Sequence, residues 1–153
     1  MNGTRNMKKT SLLLLLAAFS LPALAQSSCT EAAAQANRQV GNRLNATELA
    51  DTLSSLNRDG KLPEKFVTKR QAQAAGWQPG RSLWKQPDLK GKSIGGDRFG
   101  NYEKRLPAGK WQEADLNYKG GKRGAYRLIF SQQGQRFVTV DHYNSFIEVA
   151  PCR

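Results

Sequence analysis

The chain has 153 residues and is short of the residues that most often carry chemistry. It has one histidine, His142, and two cysteines, Cys29 and Cys152. Two distant cysteines and a lone histidine have no metal-ligand spacing and cannot make a four-ligand zinc site without carboxylates, so no metal or cofactor is expected. Acidic residues are scarce too: 12 Asp+Glu against 24 Lys+Arg give a net charge of +12. The longest apolar run, Ser11 to Ala18, falls short of the roughly 20 residues that span a bilayer. The length excludes a multidomain machine. Hydrophobic residues make up 39%, a lean core but enough to argue against a disordered tail. The positive excess suggests a polyanionic partner, whether nucleic acid, an anionic membrane or an acidic protein, with simple solubility as the plain alternative.

Export is written at the N-terminus. Met7-Lys8-Lys9 is a basic start, Leu12 to Leu16 form the apolar core, and Ala23-Leu24-Ala25 fits small-x-small cleavage. Residues 1–25 read as a secretory signal, 26–44 as a tethered extension and 45–153 as the functional domain. Removing the signal, with Arg5, Lys8 and Lys9, leaves +9. In an oxidising compartment an even cysteine count suggests one disulfide, Cys29 to Cys152, tying the ends together. Its chain-entropy ceiling is about 5 kcal/mol. A lipidated Cys29 is the rival, but Gln26-Ser27-Ser28 lacks the expected leucine.

The mature chain changes character midway. Glu31 to Val40 has helical composition, interrupted by Gly41-Asn42. Asn45 or Thr47 caps a helix whose apolar stripe is Leu49, Leu53 and Leu56, ended by Asp59-Gly60. Thr68-Lys69-Arg70-Gln71 has capping-box spacing before a short helix through Ala75, and Ser82 caps one more turn. After Pro87 glycines become frequent, with Gly95-Gly96 read as a bend at a strand entry. The β-rich runs Trp111–Tyr118, Ala125–Ser131, Gln135–Val140 and Ser145–Val149 follow. In the second, Leu128 and Phe130 point one way and Arg127 and Ile129 the other. Helices first and an antiparallel sheet second predict an α+β fold, N-terminal helices packed on a C-terminal antiparallel sheet.

Chemistry is available from few residues. His142 lies at the end of a predicted strand, where a loop can present it; a packed or surface histidine is the plain alternative. Cleaving RNA without metal requires a base for the 2′-hydroxyl, an acid for the departing 5′-oxygen and cations around the phosphate. Glu113 and His142 are candidates for the first two. Arg127, Arg123 and Lys69 are candidates for the third, arginine being suited to bidentate phosphate contact. Glu113 and Arg127 alternate out of step with Ala114 and Leu128, so both can face away from the core. Solvated surface charge and a strand salt bridge remain open readings for these residues.

A set of motifs in order narrows the choice. Phe66-Val67-Thr68-Lys69, Gly76-Trp77, Gly91-Lys92-Ser93-Ile94-Gly95-Gly96-Asp97, Leu106-Pro107, Glu113-Ala114-Asp115-Leu116-Asn117-Tyr118 and Asp141-His142-Tyr143 resemble the barnase family of secreted bacterial ribonucleases. The likeness runs from about Glu48 to Glu148. It implies the microbial ribonuclease fold and a guanyl-preferring endoribonuclease that works through a 2′,3′-cyclic phosphate. By motif position Glu113 resembles the general base and His142 the general acid. Lys69, Arg123 and Arg127 resemble phosphate-stabilising cations, and Asp115 the acid that holds Arg123. Phe99, Gly100, Asn101, Tyr102 and Glu103 resemble a guanine-binding loop, with Tyr143 an aromatic at the substrate site. Tyr102 and Lys122 depart from the best-known member, which has an arginine and an aromatic there. The resemblance also implies RNA as substrate and a small acidic inhibitor of the barstar kind; no membrane partner is expected, and the chain is expected to be a monomer. Two alternatives share features with this reading. A non-catalytic cationic protein coating RNA or membranes shares the charge, and a ribonuclease toxin used against competitors shares the chemistry.

Overall fold

The computed structural model describes residue 3, residues 13–18 and residues 26–153. The expected cleavage point at residues 23–25 lies outside the described residues. Three helices lie in the first half of the chain, the third of them after the first strand. Helix α1 spans Cys29–Gln39, with the Ser28 hydroxyl accepting from the Glu31 N–H at 3.1 Å. Helix α2 spans Ala46–Asp59, and of its two candidate caps it uses Asn45, ending on Gly60 at φ 68°. Helix α3, Lys69–Ala74, opens with the reciprocal Thr68–Gln71 box. These side chains satisfy N–H groups that have no partner within a helix. Short 3-10 turns follow at Leu83–Lys85 and Pro87–Leu89.

Six strands form one sheet in sequence order: β1 Phe66–Val67, β2 Ser93–Phe99, β3 Trp111–Asp115, β4 Arg127–Phe130, β5 Arg136–Thr139 and β6 Ile147–Glu148. Strand β1 runs parallel to β2 and every other pair is antiparallel. The fold is therefore α+β, with a parallel edge added to the expected antiparallel sheet. Strand period assigns the faces. Ala114, Leu128, Phe130 and Val138 lie in one cluster with the alanines of α1 and with Leu49 and Leu53 of α2. Those two leucines are fully buried, worth about 1.5–3 kcal/mol each. The opposite face carries Glu113, Asp115 and Arg127.

Residues 26–44 pack on this core. Ala32, Ala33 and Ala36 are buried in it, and Cys29 is bonded to Cys152 with their Cα atoms 4.8 Å apart. Asn57 of α2 donates to the Cys152 carbonyl at 2.9 Å.

The glycine-rich segment read as a bend is part of β2. Gly95 pairs with Ala114 and Asp97 with Glu113, and the register shifts between them at a bulge where Gly96 has φ 101°. A Cβ at Gly95 would sit 2.6 Å from the Phe66 ring, so packing of β1 on β2 selects glycine over a β-branched residue. Strand β3 is shorter than its β-rich run because Asn117, at φ 61°, turns the chain.

Candidate active site

Adjacent strands of the helix-free face hold the charged residues. Glu113 on β3 and Arg127 on β4 face away from the helices, as the alternation predicts, yet both are buried, at 7% and 4% exposure. Turning from the main core does not expose them, because a second apolar group around Leu106, Trp111 and Ile129 and the loops after β2 and β5 cover that face.

Tyr143 joins them. Its phenol donates to Glu113 Oε2 at 2.8 Å and accepts from Arg127 Nε at 3.0 Å. Burial and the Glu113 carboxylate push this phenol up to about 12, opposed by Arg127. Glu113 Oε1 has no hydrogen-bond partner among the described residues. Arg127 is committed elsewhere as well: Nη1 donates to the carbonyls of Gly124 and Tyr126 at 2.7 and 2.8 Å, and Nε lies 3.0 Å from Asp115 Oδ1. Only Nη2 is left without a partner among the described residues. Asp115 is shared, since Arg123 grips it through two bonds of 2.7 Å. Those bonds hold the Arg123 guanidinium above its ordinary range.

His142 and Lys69 stand at the rim. His142 is exposed, its ring centroid 4.8 Å from that of Tyr143. Lys69 is exposed at the start of α3, where its backbone N–H donates to Asp97 Oδ2 at 3.0 Å; Asp97 is the cross-strand neighbour of Glu113. Neither side chain makes an ion pair among the described residues.

The loop bearing His142 is strained and braced. His142 and Tyr143 both occupy left-handed backbone, at φ 53° and 71°. For such residues that costs on the order of 1–3 kcal/mol each. The Asp141 carboxylate accepts from the Thr139 hydroxyl and from both N–H and hydroxyl of Ser145. The Tyr143 N–H donates to the Thr139 hydroxyl, and the His142 N–H to the Ala125 carbonyl. The Ser145 bonds hold the Asp141 carboxyl down at about 2.

Beside Tyr143, a cavity of about 190 Å³ is lined by Phe99, Asn101, Tyr102, Glu103, Arg105 and Phe146. Phe99 stacks on Tyr143 at 5.2 Å. Asn101 closes the loop on itself: its amide donates to the Leu106 carbonyl and its oxygen accepts from the Leu106 N–H. The Glu103 carboxylate accepts from Arg105 at 2.7 Å, and Arg105 also donates to the Asn144 carbonyl, linking this loop to the histidine loop. Gly100 lies against the Tyr102 ring, which is 88% exposed.

The structure thus joins Glu113, Arg127, Tyr143, Asp115 and Arg123 in one bonded group, sets the 99–103 loop beside it, and leaves His142 and Lys69 at its lip. Sequence reasoning missed Phe146 and Arg105 in the cavity, and Thr139, Asp141 and Asp97 as supports. The sequence signal available for the Asp141 brace is an aspartate in a turn, where its side chain bonds nearby backbone.

A buried carboxylate tied to a guanidinium, with a histidine at the entrance, suits proton transfer beside a phosphate, the work of phosphodiester-cleaving enzymes. Comparison with known proteins agrees. The family model for ribonuclease matches residues 49–150. Ribonucleases of Heyndrickxia coagulans, Bacillus intermedius and Bacillus pumilus are each 42% identical over 92 residues, 58% of this chain. The match covers 84% of the first relative and 56% of the other two, so the chain spans little more than half the length of the Bacillus proteins. The chain belongs to this ribonuclease family, the barnase-like ribonucleases its motifs resemble.

Proposed function

We propose that this ribonuclease cuts single-stranded RNA after guanosine by acid–base transphosphorylation without a metal. The observation that carries the reading is the Glu113–Tyr143–Arg127 chain, which fixes a carboxylate beside a guanidinium, with Glu113 Oε1 and the Arg127 Nη2 amino group left without partners among the described residues. Glu113 takes the 2′-hydroxyl proton. The 2′-oxygen bonds to phosphorus, the bond to the 5′-oxygen breaks, and His142 gives that oxygen its proton. The products are a 2′,3′-cyclic phosphate and a free 5′-hydroxyl. Hydrolysis of the cycle runs with the roles reversed: His142 takes a proton from water and Glu113 returns one to the 2′-oxygen.

Arg127, Arg123 and Lys69 stabilise charge on the phosphoryl oxygens. Arg127 meets the phosphate through Nη2 rather than through both tips of its fork, since Nη1 holds two carbonyls. Asp115 positions both arginines. The cavity beside Tyr143 takes the guanine, with Phe99 and Tyr143 as aromatic walls. Backbone groups of the 99–103 loop read O6, and Glu103 accepts from N1–H and N2–H after leaving Arg105.

The protein acts outside the cytoplasm, after removal of residues 1–25, as a monomer, and a barstar-like acidic inhibitor protects the producing cell. The Cys29–Cys152 bond supports an oxidising compartment. No helix among the described residues is long and apolar enough to cross a membrane.

The test is mature protein incubated in EDTA with GpA, ApA and 2′-deoxy-GpA. The reading expects cleavage of GpA well ahead of ApA, a cyclic-phosphate product and no cleavage of the deoxy analogue. Equal rates for GpA and ApA would remove the guanine assignment. Cleavage of the deoxy analogue, or dependence on added metal, would remove the mechanism.

A further inference from the structure

Behind the 99–103 loop lies a second and larger groove, about 710 Å³, that the reaction described above leaves idle. Phe99 lines both this groove and the guanine cavity, so the two are separated by one aromatic wall. The groove carries two cations, Arg98 and Lys110. Both are exposed, neither makes an ion pair among the described residues, and no carboxylate lines the space. Its floor is a relay of amides: Gln132 donates to Gln112, and Gln112 donates to the Gly96 carbonyl at 3.1 Å. One wall is Gly109 over the Trp111 indole. Gly109 has no left-handed backbone to accommodate, and a Cβ there would approach nothing closer than 3.6 Å. Neither conformation nor internal packing requires glycine at 109, and its bareness keeps the groove open.

We infer that this groove is an RNA subsite for nucleotides on the 5′ side of the guanosine. The direction follows from the order of features along β2 and β3, and it rests on the guanine and acid–base reading above. The scissile phosphate lies at the level of Glu113, paired with Asp97. The guanine lies one step along, at Phe99, which pairs with Trp111. The groove is reached past that step, around Phe99 at Gly100 and Lys110, and its floor of Arg98, Gln112 and Gln132 runs back along the other face of these strands. Because the scissile phosphate is on the 3′ side of the guanosine, chain continuing past the guanine in this direction is its 5′ side. Two cations without ion-pair partners among the described residues suit backbone phosphates, a contact that carries no base preference.

The experiment compares cleavage of GpA with UUUGpA, extended on the 5′ side, and GpAUUU, extended on the 3′ side. Three proteins are used: the parent, the double variant Arg98→Gln with Lys110→Gln, and the control Lys85→Gln with Lys90→Gln, which removes the same charge elsewhere. The parent should gain several-fold in kcat/KM from the 5′ extension. The groove variant should lose most of that gain, three- to tenfold, and keep its GpA rate, which also shows that it is folded. The control should retain the gain. In parallel, anisotropy of a labelled deoxy-UUUGA reads binding without catalysis. The groove variant should bind more weakly, with a salt slope shallower by about 1.4, since each of the two single-strand phosphate contacts contributes about 0.7. Absence of a 5′ gain in the parent would overturn the subsite. So would equal losses by the groove variant on GpA and both extensions, or an equal loss of the gain in the control, since either is the mark of net charge alone. Failure of the parent to cleave GpA would instead strike the catalytic reading, while the anisotropy arm would still judge the groove.

Discussion

Tyr143 is the residue on which the proposed catalytic group converges. It is the only side chain among the described residues hydrogen-bonded to both Glu113 and Arg127, and its left-handed backbone aims it there. Replacing it with phenylalanine keeps the stacking on Phe99 and removes both bonds. Hydrogen bonds to charged groups are worth about 1.5–3 kcal/mol, so Tyr143→Phe should lower kcat by about 10- to 100-fold with a smaller change in KM. Steady-state kinetics on GpA would measure it. The same substitution bears on alkaline stability. The unfolded phenol ionises near 10 and the folded one near 12. The proton is held more tightly in the native state, so the stability it confers is complete below pH 10 and is lost as pH rises to 12. Denaturant unfolding of the parent should weaken across that window, and Tyr143→Phe should weaken less. Arg136 shows the opposite kind of residue. Among the described residues it has no carboxylate partner and its Nε has no hydrogen-bond partner, and burial lowers its pKa.

At the scale of elements, the loop from Thr139 to Ser145 uses local hydrogen bonds to fix the backbone that carries His142 and Tyr143. Asp141 is held down at about 2 by Ser145 and Thr139, against about 3.8 in an unfolded chain. A depressed carboxyl stabilises the fold above the unfolded value. That contribution is lost as pH falls from about 4 through 2. Allowing for solvent screening it amounts to about 1 kcal/mol. Asp141→Asn should therefore reduce stability at neutral pH, narrow the difference from the parent near pH 2, and lower kcat by loosening His142 and Tyr143. Urea titrations at pH 7 and pH 2 would check the sign. This element also marks where sequence reading stops. The caps at Asn45, Thr68 and Ser82 are legible because each is satisfied within a few residues, and so is the alternation that sets Leu128 apart from Arg127. Strand β2 is not legible, because Gly95 answers to Phe66, 29 residues away in the chain. The burial of Glu113 is equally hidden, since it depends on a loop that begins after β5. Motif position brings forward the residues of the bonded group, but the engagement of Arg127 Nη1 by two carbonyls, which limits how it meets a phosphate, belongs to the fold alone.

For the whole molecule, the Cys29–Cys152 bond closes a separation of 123 residues and fastens α1 to the end of the chain. A bridge of this span raises stability by about 2–4 kcal/mol, mainly by restricting the unfolded chain. It touches none of the proposed catalytic residues. Cys29→Ser with Cys152→Ser should lower Tm by several degrees or more and leave kcat near the parent value well below the transition. Thermal melts and GpA turnover on the same samples would show both. A large loss of turnover at low temperature would mean that the packing of α1 reaches the catalytic face. Net charge acts at this scale as well. With a net charge of +12 on the chain, salt should raise KM for long RNA more than for a dinucleotide.

The central claim is that Glu113 and His142 transfer the two protons, and the pH dependence of kcat/KM for GpA transphosphorylation tests it most directly. The parent should give a bell, falling on the acid side as Glu113 gains a proton and on the alkaline side as His142 loses one. Glu113→Gln should lose the acid limb, His142→Ala should lose the alkaline limb, and each should fall about 10²- to 10⁴-fold at the optimum. Variants that keep near-parent rates and an unchanged bell would contradict the assignment and move the proton transfers to other groups.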